Sequence, residues 1–96
     1  MPCQEIEIAW APSRNDVLHV RSNPLTFGVR KEGNLMPLLV KIQEVTARNN
    51  DPIIIVVGTV EPKNDVTDGI TIPPPPYSVI IFFDDRDGKG SLHRPH

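Results

Sequence analysis

The sequence predicts an all-β domain, a small antiparallel sandwich or barrel of about six strands with at most one short helix. Three observations carry this. Short segments alternate apolar and polar side chains with the period of two that a strand requires. Turn-forming clusters separate these segments at roughly 8–12 residues, the spacing of a hairpin-built fold. Eleven of the 96 residues are proline, which removes a backbone donor and fixes φ, so the chain cannot be mainly helical. A chain of this length makes one domain, and its 39% apolar content suffices for a small core.

The elements follow in order. In EIEIAW (5–10), Ile6, Ile8 and Trp10 share one face and Glu5, Glu7 and Ala9 the other. APSRN (11–15) reads as a turn, DVLHVR (16–21) as a short strand, and Asn23-Pro24 as its end. In LTFGVRK (25–31), Leu25, Phe27 and Val29 alternate with Thr26, Gly28 and Arg30, and Glu32-Gly33-Asn34 is a turn. Residues 35–48 carry two periods. Leu35, Leu38, Leu39, Ile42 and Val45 have helical spacing, with Asn34 as N-cap and Pro37 in the first turn. Leu38, Val40 and Ile42 have strand spacing. The strand is preferred, because a helix would expose Val40 and the following NNDP reads as a turn between two strands.

PIIIVVGTV (52–60) is dense in β-branched residues on both faces. It reads as a central strand, since an exposed edge of that composition would aggregate. A long connection (61–76) leads into a second apolar strand, YSVIIFF (77–83). The polar remainder places the domain at 1–84 and a flexible C-terminal tail at 85–96.

Composition narrows the function classes. Residues 1–48 carry six Lys/Arg against five Asp/Glu, and residues 49–96 carry four against seven, so neither half is a phosphate-binding surface. Cys3 is the single cysteine, which rules out an intramolecular disulfide and a cysteine-rich zinc site. The first ten residues lack the pattern of a signal peptide, and the longest apolar runs, IIIVV and VIIFF, have five residues each where a membrane helix needs about 20. The expectation is a soluble protein of the cytoplasm or of a virion, without membrane contact.

Several stretches invite a chemical reading. Pro74-Pro75-Pro76-Tyr77 resembles the Pro-Pro-x-Tyr ligands of WW domains, which read a pre-extended polyproline II helix on an aromatic groove. The competing and preferred reading is a stiff lead-in, with Tyr77 starting a strand and covering one end of the core. DDRDGKGS (84–91) places Asp85 and Asp87 at alternate positions, but Lys89 stands where a calcium loop needs oxygen and no later Glu follows, so an acidic turn at Asp87-Gly88 is preferred. His93 and His96 have i, i+3 spacing in the expected tail, and His19 reads as a solvated strand residue; neither implies a built metal site. Ser13, Ser22, Ser78 and Ser91 lack a nucleophile elbow. No catalytic residue, cofactor or metal is assigned.

The reading is therefore a non-catalytic protein–protein interaction or assembly module, a subunit or accessory protein of a larger particle such as a virion. Its partner would be another protein or itself as a homo-oligomer. The alternative is a single-stranded nucleic-acid-binding barrel with Arg21, Arg30, Lys31, Lys41 and Arg48 lining one face.

Overall fold

The structure is a computed structural model and describes residues 5–19, 24–60 and 76–95. It contains β1 (Glu5–Trp10), α1 (Arg14–His19), β2 (Leu25–Lys31), β3 (Asn34–Ala47), β4 (Ile53–Val60), β5 (Tyr77–Asp84) and β6 (Gly90–His93). The strands form a closed barrel in sequence order, each antiparallel to its neighbours, and β6 closes it by pairing with β1. Of the expected sandwich or barrel, the chain forms the closed six-stranded barrel, with one short helix among the described residues. No helix among the described residues is long and apolar enough to cross a membrane.

Alternation builds the core. β4 and β5 turn Ile54, Val56, Val60, Val79, Ile81 and Phe83 inward. β1 and β2 add Ile6, Ile8, Phe27 and Val29, and Phe27 meets Phe83 edge-on with ring centres 5.9 Å apart. β3 is a strand throughout, as preferred, but a bulge between Ile42 and Glu44 inserts Gln43 into the ladder. Met36, Leu38, Val40 and Ile42 face inward before it, and Val45 and Ala47 after it. That phase change is the source of one helix-like step in this stretch, the three residues from Ile42 to Val45, whereas Leu35 and Leu39 lie off the inward row.

A second bulge corrects the reading of β1. Its register shifts between Ile8 and Trp10, so Trp10 leaves the inward row and lies 43% exposed on the outside. There its indole covers Gly28, where a β-carbon would collide with the ring. The short strand expected at 16–21 is also corrected, because residues 14–19 form α1. The cause is a cap hidden in the turn cluster. Ser13 Oγ accepts a hydrogen bond from the Asp16 backbone N–H at 3.1 Å, and Ser13 O accepts one from Val17 N–H at 3.0 Å. Val17 then joins the core at 1% exposure.

The boundary at 84/85 is corrected as well. Residues 90–93 of the expected tail are β6, paired on both sides, and Leu92 is fully buried. The acidic turn before it is held by Asp84, whose N–H donates to Lys89 O at 2.9 Å and whose carbonyl accepts from Gly88 N–H at 2.7 Å.

Candidate interaction surface

In a strand, alternate side chains point to opposite faces, so the composition of β4 and β5 has a second consequence. The residues between the inward ones are also apolar. Ile53, Ile55 and Val57 of β4 and Ile80 and Phe82 of β5 form one patch on the outside of the barrel. Ile55 lies directly opposite Phe82 and Val57 opposite Ile80. Ile53 and Phe82 are 42% and 39% exposed. No charged side chain interrupts the patch between the Thr59–Ser78 pair at one end and Asp84 at the other.

The ladder also fixes what borders the patch. One row runs Glu44, Val57, Ile80, His93 across β3 to β6, and the next runs Thr46, Ile55, Phe82, Ser91. The face is not flat. Phe82 stands out on one side of Ile55, with its ring edge-on to His93 at 5.7 Å between centres. On the other side of Ile55 lies a hollow of about 190 Å³ lined by Thr46, Arg48, Asp51, Ile53 and Ile55.

The residues singled out from sequence are dispersed. Tyr77 pairs with Val60 and packs half-buried against the core, under the Arg94 guanidinium 5.1 Å from its ring centre. Burial raises the Tyr77 hydroxyl's pKa, and Arg94 partly offsets this. Pro76 is exposed, whereas Pro74 and Pro75 lie outside the described residues. Of the basic set, Arg30 is opposite Leu35 beside the β2–β3 turn, and Arg48 follows the far end of β3. Thirteen residues separate those two ends, on the order of 40 Å of strand path. Lys41 is exposed in between, Lys31 ends β2, and Arg21 is outside the described residues. The barrel thus brings no three described members of this set into one compact patch.

Two polar clusters were not legible beforehand. Arg14, on α1, donates to Asp51 O (3.3 Å), Asp85 Oδ2 (2.8 Å) and Arg48 O (3.0 Å). It latches the helix to the β3–β4 and β5–β6 turns through both terminal guanidinium nitrogens. Beside it, Arg86 embraces the Asp84 carboxylate through Nε and Nη2 at 3.0 and 2.7 Å, which holds the Asp84 pKa down at about 2. The second cluster places Ser91 Oγ 2.9 Å and Glu5 Oε2 3.9 Å from the same His93 nitrogen, Nε2. A nucleophile–base–carboxylate relay needs the carboxylate on the opposite ring nitrogen, so this arrangement does not activate Ser91. Among the described residues, no three His, Cys, Asp or Glu side chains gather as a metal site. Comparison with protein-family models, curated proteins and solved structures finds no match to this chain.

Proposed function

We propose that the chain is a non-catalytic interaction and assembly module that docks a protein surface on the outside of β4 and β5. The observation that carries this reading is the uncharged patch of Ile53, Ile55, Val57, Ile80 and Phe82. A barrel needs only its inward row to be apolar, and the outward row of an antiparallel strand is ordinarily polar. Here two adjacent strands break that rule in the same place. Burying the patch against a partner gains about 25 cal/mol for each Å² of apolar surface removed from water. Its two most exposed members are a phenylalanine and an isoleucine, and aromatic anchors suit the centre of a protein interface.

Site-specific photocrosslinking in the host cell tests this. A photoreactive residue at Val57 is expected to give one protein adduct of defined mass, and the same residue at Arg30, outside the patch, is expected to give none. Absence of any adduct from Val57 sinks the reading.

A further inference from the structure

We infer that the β1–β6 seam binds a zinc-class divalent ion between Glu5 and His93, with Cys3 and His96 as its remaining ligands. This site does not depend on the docking face of β4 and β5. Its core is an arrangement that the proposed function leaves unused. Ser91 Oγ and Glu5 Oε2 converge on one nitrogen of His93, Nε2, at 2.9 and 3.9 Å. A carboxylate oxygen at 3.9 Å is too distant to hydrogen-bond that nitrogen. It is close to the separation that two ligands take on one ion. Zinc sits about 2.0–2.1 Å from an imidazole nitrogen and about 2.0–2.2 Å from a carboxylate oxygen, so a tetrahedral angle puts the two donors roughly 3.4 Å apart. Glu5 is exposed, so its side chain closes the difference without moving the strand. Ser91 shares the nitrogen and turns away when the ion takes its lone pair.

The strands hold both groups in place. Ile6 pairs with Leu92 and both are buried, so the partners in the next rung, Glu5 and His93, face outward together. Phe82 steadies the His93 ring, edge-on with 5.7 Å between centres. The adjacent cation, Arg94, lies over the Tyr77 ring. Cys3 stands two residues before Glu5, and His96 three after His93. Both lie outside the described residues, and chain length alone bounds them. A fully extended chain tethers Cys3 within roughly 7 Å of Glu5, and His96 within roughly 10 Å of His93. The chain has one cysteine and three histidines, and in sequence only His19, on α1, is more than three residues from this rung. A thiolate, two imidazoles and a carboxylate make a complete four-coordinate set for zinc. These residues come from opposite ends of the chain, and it is the β1–β6 pairing that brings their anchors to one rung.

Cobalt(II) titration of the reduced, untagged full chain is the test, with zinc chloride as competitor. One equivalent of cobalt is expected to give the ligand-field absorption of a tetrahedral ion together with a thiolate charge-transfer band. Zinc is expected to displace both and to raise the melting temperature, because the ion binds only the folded seam. Glu5→Gln, His93→Gln and His96→Gln are each expected to weaken binding at least about tenfold. Cys3→Ser is expected to remove the charge-transfer band, and His19→Gln to change nothing. Metal-free circular dichroism of Glu5→Gln, at an exposed position, separates a lost ligand from a lost fold. A chain that shows no cobalt spectrum at about 1 mM ion, the weak limit of specific binding, overturns the inference. So does equal binding in the native chain, Glu5→Gln and His93→Gln, which marks an adventitious ion only. Binding that needs Glu5 and His93 but lacks the thiolate band overturns the part given to Cys3.

Discussion

Glu32 and Gly33 are the two central residues of the β2–β3 turn, with φ of 52° and 83°. Both values are positive, as a tight type I′ hairpin demands, but only the second residue is one that adopts them without cost. Glu32→Gly is expected to stabilise the barrel by roughly 0.5–1 kcal/mol, read as a rise in the urea midpoint. Asp84 governs an acid dependence. Its carboxyl sits at about 2 in the folded chain against an ordinary 3.8, because Arg86 donates to it from side chain and backbone. A depressed folded pKa means the stabilisation is complete above 3.8 and is lost as pH falls towards 2. Melting temperatures between pH 5 and 2 are expected to fall less steeply in Asp84→Asn than in the native chain. At this scale the sequence was informative about chemistry and poor on placement. That Ser91 and His93 alternate on one strand is visible in the letters; that Glu5 reaches the same ring is not, because 88 residues separate Glu5 from His93. Trp10 escaped its predicted face because a bulge changes the side-chain phase without leaving a mark in the composition.

Among the elements, legibility followed apolar density. β2, β4 and β5 are readable because their inward rows are apolar and turn residues bound them. β3 was half-readable: its helical period combines a step across an unpaired residue, from Ile42 to Val45, with Leu35 and Leu39, which lie off the inward row. β6 was missed because four residues, GSLH, offer a single apolar side chain. Nothing local distinguishes such a segment from a frayed end; only its two neighbours make it a strand. Its contribution is nonetheless large. Leu92→Ala is expected to cost about 2–5 kcal/mol by emptying a fully buried site, whereas Leu35→Ala, half exposed on the outside, is expected to change stability by less than about 0.5 kcal/mol. Chemical denaturation of the two variants side by side decides this. α1 was misread because Ser13, its cap, sits in a cluster that also reads as a turn. Its anchor is Arg14, whose three acceptors belong to two different turns. The guanidinium is about a third exposed, so solvent screening tempers its worth. Arg14→Leu is expected to lower stability by about 1–2 kcal/mol, measurable as a drop in the melting temperature.

For the whole molecule, closure explains why the same apolar strands can be both core and surface. Every strand has two partners, and where the patch lies β4 and β5 are paired on both sides, so association there must use side chains rather than backbone. The spread of charge bears on the nucleic-acid alternative. Arg30 and Arg48 stand near opposite ends of β3, and the chain carries a net charge of −2. A fluorescent single-stranded oligonucleotide is therefore expected to show no saturable binding at about 0.15 M salt; binding that weakens steeply with added salt would revive that alternative.

The pairing of β1 with β6 also has a consequence for the order of the chain. Glu5 and His93 are partners across that seam, so the two ends of the described fold are neighbours in space. A barrel whose strands all lie beside their sequence neighbours is, in effect, a ring. Its starting point is a matter of connectivity and not of packing. A circular permutant, with a short glycine–serine bridge across the β1–β6 seam and new termini opened between β4 and β5, keeps every strand pair. It should reach the same native sheet while making the former closing contact a local one. Its refolding rate, compared with that of the natural order by stopped-flow tryptophan fluorescence, would show how much of the folding time is spent bringing β6 back to β1.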